Sequence, residues 1–117
     1  MPIQLERMTL AATNVDAVVN FYNIVLEAGF EGLPDSPLYI GMLGGIEAMI
    51  CPNTIAQVDA NQSRIQLRLR VEDVESVLEA AKANGSSFLN DMATENARIV
   101  SVRDPDSNSI ELIQWFG

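Results

Sequence analysis

The sequence holds no histidine and one cysteine, so most side-chain machinery for hydrolysis or oxidation is missing. A Ser-His-Asp triad, a Cys-His pair and a histidine general base are excluded. So is the two-histidine, one-carboxylate iron site of non-heme oxygenases. Cys51 alone can form neither an internal disulfide nor a thiolate cluster, and its neighbours Ile50 and Pro52 predict a small buried residue rather than a nucleophile. A lone thiol also fits a reducing, cytoplasmic compartment. Arginines, carboxylates and amides remain. Gln66, Arg68 and Arg70 alternate with Ile65, Leu67, Leu69 and Val71, which puts the three polar residues on one face of a strand.

The net charge of −9, from 16 acidic and 7 basic residues, opposes binding to nucleic acid or to an anionic membrane. Hydrophobic residues make up 48 % of the 117, enough for a packed core in one domain spanning 1–117. No run approaches the ~20 apolar residues of a membrane span. The opening MPIQLERMTL lacks the basic-then-apolar pattern of a signal peptide.

These side chains need a frame, and the apolar pattern predicts one. Gln4 to Ala12 alternate, with Met8, Leu10 and Ala12 on one face and Arg7, Thr9 and Ala11 on the other. Thr13 with Asp16 reads as a capping box, followed by a helical stripe of Val15, Val18, Val19, Tyr22, Val25 and Leu26 that stops at Gly29. Strands are expected near 30–33, 38–43 and 46–51, broken at Pro34–Pro37 and at Gly44-Gly45. The same order then recurs: a strand from Ile65 to Val71, a helix over Val74, Val77, Leu78 and Ala81 ending at Gly85, and strands near 87–92, 97–103 and 110–115. An offset of 59 carries Leu10, Val15, Val18 and Val19 onto Leu69, Val74, Val77 and Leu78. The closing segments Ile46-Glu47-Ala48 and Ile110-Glu111-Leu112 match at an offset of 64. An α+β chain of two βαβββ units follows, with unit one at about 1–52, a polar linker at about 53–62 and unit two at about 63–117.

Asn14-Val15-Asp16 through Phe21-Tyr22 with Val25-Leu26, Val71-Glu72-Asp73-Val74, and Asp104-Pro105-Asp106-Ser107-Asn108-Ser109-Ile110-Glu111-Leu112 together resemble the vicinal oxygen chelate superfamily, which includes glyoxalase I, bleomycin-resistance proteins and extradiol dioxygenases. The last segment is similar to the family's DPDGN-x-IEL, with Ser107 where glycine is usual. The resemblance implies a glyoxalase/bleomycin-resistance-like fold whose two curved sheets enclose a cup. In metal-dependent relatives, the first and last strands of each unit supply four ligands to a divalent cation. Here those positions map onto Arg7, Glu47, Gln66 and Glu111. Glu47, Gln66 and Glu111 are oxygen ligands for a metal such as Ni, Zn, Co or Mn if one is present. Arg7 is a permanent cation without an acceptor and would repel it, so no metal cofactor is expected.

The resemblance carries two functions. One is a metal-free, small-molecule-binding member of the bleomycin-resistance kind, its cup lined by Arg7, Glu47, Gln66, Arg68 and Glu111, with an anionic ligand suggested by the arginines. The other is a metal-dependent lyase or isomerase of the glyoxalase I type, with Glu47 or Glu111 as catalytic base and the metal, or Arg7 in its place, as oxyanion stabiliser. A dioxygenase is disfavoured without histidine. Set against both is a structural role, with Glu47 and Glu111 neutralised by Arg7 in a buried ion pair, Arg70 reaching solvent or pairing with Glu72 and Asp73, and no ligand at all. A homodimer is implied by short relatives of this build.

Overall fold

The computed structural model describes residues 3–57 and 65–117. It divides into two compact units, Met1–Asp59 and Ala60–Gly117. In the first, β1 (Met8–Ala12) leads to α1 (Val15–Leu26), then β2 (Glu31–Gly32), β3 (Tyr39–Leu43), β4 (Ile46–Pro52) and the single turn α2 (Asn53–Ala56). In the second, β5 (Gln66–Arg70) leads to α3 (Val74–Ala83), β6 (Phe88–Ala93), β7 (Ala97–Arg103) and β8 (Ser109–Trp115). Among the described residues each unit builds one four-stranded mixed sheet, in order β1-β4-β3-β2 and β5-β8-β7-β6. The outer pair of each is parallel, β1 with β4 and β5 with β8, because the intervening helix returns the chain in the same direction.

Several boundaries differ from expectation. Strand β1 begins at Met8 rather than Gln4, and Arg7 lies just ahead of it. The cap of α1 is Asn14, not Thr13: the Asn14 carboxamide oxygen accepts the Ala17 N–H at 3.1 Å. Asp73 caps α3 in the same way, accepting from Ser76, whose hydroxyl hydrogen bond and N–H hold the Asp73 carboxyl below its ordinary range. Of the expected linker, Asn53–Ala56 is helical and the stretch 58–62 lies outside the described residues.

Each sheet buries one face under its helix. In the second unit Val100, Val102, Ile110 and Leu112 are almost inaccessible and share the core with Val74, Leu78 and Ala81 of α3. Gln114 lies on that same face and accepts the Val74 N–H at 2.9 Å, which ties the start of α3 to β8. Arg98, its neighbour on β7, bonds Glu75 of α3 and Asp91 of β6. In the first unit Ala48 and Ile50 are fully buried, with Phe21, Tyr22 and Phe30 as aromatic filling. Tyr22 meets Phe21 and Phe30 edge-on, at centroid separations of 5.5 and 6.2 Å. Phe30 is held by Asn23, whose side chain bonds both its N–H and its carbonyl. Gly41 is required below it, since a Cβ there would stand 2.8 Å from the Ala28 carbonyl and 2.9 Å from the Phe30 ring.

Candidate functional site

The pairing registers decide which side chains share the faces turned away from the helices. Met8 pairs with Ala48 and Leu67 with Ile110. The offset of 59, which also relates the helix caps Asn14 and Asp73, makes Leu67 the counterpart of Met8, and the pairings then make Ile110 the counterpart of Ala48. The closing strands are therefore related by 62 positions, not 64. At 62, the buried Ala48, Ile50 and Cys51 fall onto the buried Ile110, Leu112 and Ile113. Glu47 is then the counterpart of Ser109, and Glu111 that of Met49. The expected equivalence of Glu47 with Glu111 is a two-residue slip, which keeps every side chain on its own face.

The offset of 59 sets Arg7 against Gln66, and each of them holds the residue beside it. The Arg7 Nε donates to Glu47 Oε2 at 2.8 Å, and the Gln66 Nε2 donates to Ser109 Oγ at 2.9 Å. One row further on, the Arg68 Nε donates to Glu111 Oε1 at 2.5 Å. Each unit thus holds its own arginine–carboxylate pair, Arg7 with Glu47 in the first and Arg68 with Glu111 in the second. Neither pair is buried: side-chain exposure is 41 % and 39 % for Arg7 and Glu47, and 55 % and 18 % for Arg68 and Glu111. Arg70 is exposed, and Asp73, its expected partner, serves as the α3 cap.

The registers also bring in residues that sequence reasoning passed over. Arg103 pairs with Ser109 and Ser101 with Glu111. The open face of the second sheet therefore carries the rows Arg103–Ser109–Gln66 and Ser101–Glu111–Arg68. Pairing the expected strands 97–103 and 110–115 residue by residue across the Asp104–Asn108 turn would have found them. Asp104 builds that turn from a buried position, its carboxylate accepting the N–H groups of Asp106 and Asn108 and the Asn108 side chain, each at 2.8 Å. In the first unit the open face carries Thr9, Met49 and Ile40 beside the Arg7–Glu47 pair. Cys51 is fully buried, as predicted, and burial pushes its thiol above the ordinary value. That leaves little thiolate for nucleophilic chemistry.

The four metal-ligand positions implied by the superfamily can now be read from the registers as Arg7, Met49, Gln66 and Glu111. A hard divalent cation seeks several oxygen donors. Arg7 offers none, Met49 offers a thioether, and the Glu47 carboxylate beside them is engaged by Arg7. The first unit therefore brings no free oxygen donor to its two positions. Among the described residues, no three Cys, Asp or Glu side chains are grouped closely enough to hold a metal ion.

Two βαβββ units, each with a mixed four-stranded sheet, define the glyoxalase/bleomycin-resistance-like fold, an α+β architecture. Residues 7–113 match the glyoxalase-like domain family, and the chain belongs to it, within the vicinal oxygen chelate superfamily. A glyoxalase-related enzyme from Fulvimarina pelagi is similar in structure, with TM-score 0.79 and 16 % identity over 95 % of this chain and 87 % of that one. The fosfomycin resistance protein FosX from Mesorhizobium loti aligns with TM-score 0.76 and 17 % identity, over 97 % and 93 % of the two chains. A lactoylglutathione lyase from Agrobacterium tumefaciens aligns with TM-score 0.68 and 20 % identity, over 97 % and 94 %. At these identities the likeness is one of fold. No curated protein matches the sequence significantly. Among the described residues no helix is long and apolar enough to cross a membrane.

Proposed function

We propose that this protein is a metal-free, small-molecule-binding member of its family, acting as a cytoplasmic homodimer. The observation that carries this reading is the guanidinium of Arg7, held by Glu47 at a position where the superfamily pattern implies a metal ligand. Ligand contacts are assigned to Arg7, Glu47, Gln66, Arg68 and Glu111 on the open sheet faces.

A glyoxalase I-type lyase or isomerase is less well supported. Its chemistry moves a proton next to a carbonyl and needs a carboxylate free to accept it. Glu47 and Glu111, the two candidate bases, each already accept a charge-assisted hydrogen bond from an arginine.

The test is a binding screen on the full-length, tag-free chain by amide NMR, with a panel of neutral, anionic and cationic small molecules. At least one compound is expected to shift amides of β1, β4, β5 and β8 saturably, with no added metal. Failure of every compound to bind without metal, together with turnover of a hemithioacetal in added nickel or zinc, would overturn the proposal. Light scattering after size-exclusion chromatography should give twice the 12.8 kDa chain mass. A monomer would refute the dimer.

A further inference from the structure

We infer that the open face of the second unit's sheet recognises an organic anion bearing a carboxylate or phosphoryl group, bound chiefly by Arg68 and Arg103 with Gln66 and Ser109 between them. This rests on the small-molecule reading above and names the ligand class. Three observations carry it.

The first is charge. The protein as a whole carries −9, yet three of its seven basic residues, Arg68, Arg70 and Arg103, fall on one face of β5, β8 and β7. The only carboxylate these three strands place on that face is Glu111. An anion approaching most of the surface is repelled, and here it meets a local excess of positive charge.

The second is the way Arg68 is held. Glu111 takes only its Nε edge, and the Arg68 terminal amino groups have no partner among the described residues. A guanidinium fixed along one edge presents the remaining N–H donors as a fork suited to two oxygens of a carboxylate or phosphoryl group. Glu111 is the less exposed member of the pair, so it orients Arg68 from below while the arginine, at 55 % exposure, stays open to a ligand.

The third is spacing. Arg103 and Gln66 flank Ser109 across one row, with backbones on adjacent strands about 4.8 Å apart. Arg68 lies two residues along from Gln66. The long side chains of Arg103 and Arg68 can therefore reach one anion above Ser109, whose hydroxyl and the Gln66 amide supply neutral donors. Arg98 lies on the opposite, helix-covered face, tied to Asp91 and Glu75, and has no part in this.

The full-length chain is titrated with phenylphosphonate, benzoate and benzamide at fixed ionic strength, following amide chemical shifts. Phenylphosphonate, benzoate or both should give saturable shifts at residues 66–70, 101–103 and 109–111, and benzamide should give none. Arg68→Gln and Arg103→Gln should each weaken binding by about tenfold or more, and Arg98→Gln should leave it within about twofold. Saturable anion binding that survives both substitutions, or shifts that never saturate, would overturn the inference. If benzamide binds this face as well as benzoate and Arg68→Gln changes neither, the anion inference falls while small-molecule binding stands. If none of the three binds while another compound of the wider panel does, the anion inference alone falls. If the whole panel fails and a hemithioacetal is turned over with added metal, the small-molecule reading fails with it.

Discussion

The two units share one backbone plan and fill it in opposite ways. On the helix side, Tyr22 and Phe21 of α1 correspond to Ala81 and Ala80 of α3, while Gly41 and Ala48 of the first sheet correspond to Val102 and Ile110 of the second. At these positions the first unit sets bulky helix residues against small sheet residues, and the second unit does the reverse. Both reach close packing because total volume, more than the identity of any one position, must be conserved. The open faces diverge in chemistry instead: the first carries one ion pair among Thr9, Met49 and Ile40, the second three arginines, Glu111, Gln66 and Ser109. The repeat preserves the frame, where burial constrains every side chain, and leaves the open faces free to change.

The largest effects should come from breaking the volume exchange on one side only. Tyr22 is fully buried, so Tyr22→Ala should destabilise by about 3–5 kcal/mol in thermal or urea unfolding. Gly41→Val, which places a side chain against the Ala28 carbonyl and Phe30, should be at least as damaging. A loss under about 1 kcal/mol in both would mean the first core is not packed as described.

The surface ion pair of the first unit should matter far less to folding. Both partners are about two-fifths exposed, so Arg7→Ala is expected to change stability by only about 0–1 kcal/mol. A large drop in Tm with unchanged ligand binding would make the pair a structural relic and sink its role in binding.

The turns before the closing strands offer a smaller contrast. The first unit uses Gly44-Gly45, both at positive φ, to close a two-residue hairpin between Leu43 and Ile46. The second uses Asp104–Asn108 with Ser107 at φ 67, a left-handed conformation that favours glycine. Ser107→Gly should raise stability by about 0.5 kcal/mol, the relief of strain being partly offset by the freer unfolded chain. A measured loss would mean the Ser107 side chain contributes more than its backbone strain removes.

The smallest effect concerns acid. The Arg98 hydrogen bond to Asp91 holds the Asp91 carboxyl below its ordinary range and raises the Arg98 guanidinium above its own. A carboxyl lowered in the folded state adds stability above its unfolded pKa of about 4, and that contribution is lost as pH falls through the folded value. Arg98→Gln should therefore narrow the difference in Tm between pH 7 and pH 3. An unchanged difference would remove this pair from the acid response.

Much of the frame was legible because helix stripes and strand alternation are dictated by burial. Leu10 to Leu69 and Val15 to Val74 are buried or half-buried pairs, and the offset read on them also relates the helix caps Asn14 and Asp73. The site was less legible for a physical reason. The matching triplets at Ile46 and Ile110 suggested an offset of 64, and a slip of two residues leaves the inward–outward pattern intact. Only the hydrogen-bonded register sets Met49 beside Thr9 and Glu111 beside Arg68, which exchanges the expected Glu47 for Met49 in the ligand set. Ion pairing was half legible: Arg7 was expected on a carboxylate, but the partner of Glu111 depended on Arg68, whose side chain alternation alone could not assign.

Calorimetric titration of the tag-free chain with nickel and zinc addresses the central claim most directly, since a histidine tag would bind metal in a protein with none of its own. With Arg7 and Met49 at two of the four positions where the superfamily pattern implies ligands, no site-specific heat is expected with either ion. Tight one-to-one binding that disappears in Glu111→Gln would contradict the metal-free account and return the protein to the metal-dependent enzymes of its superfamily.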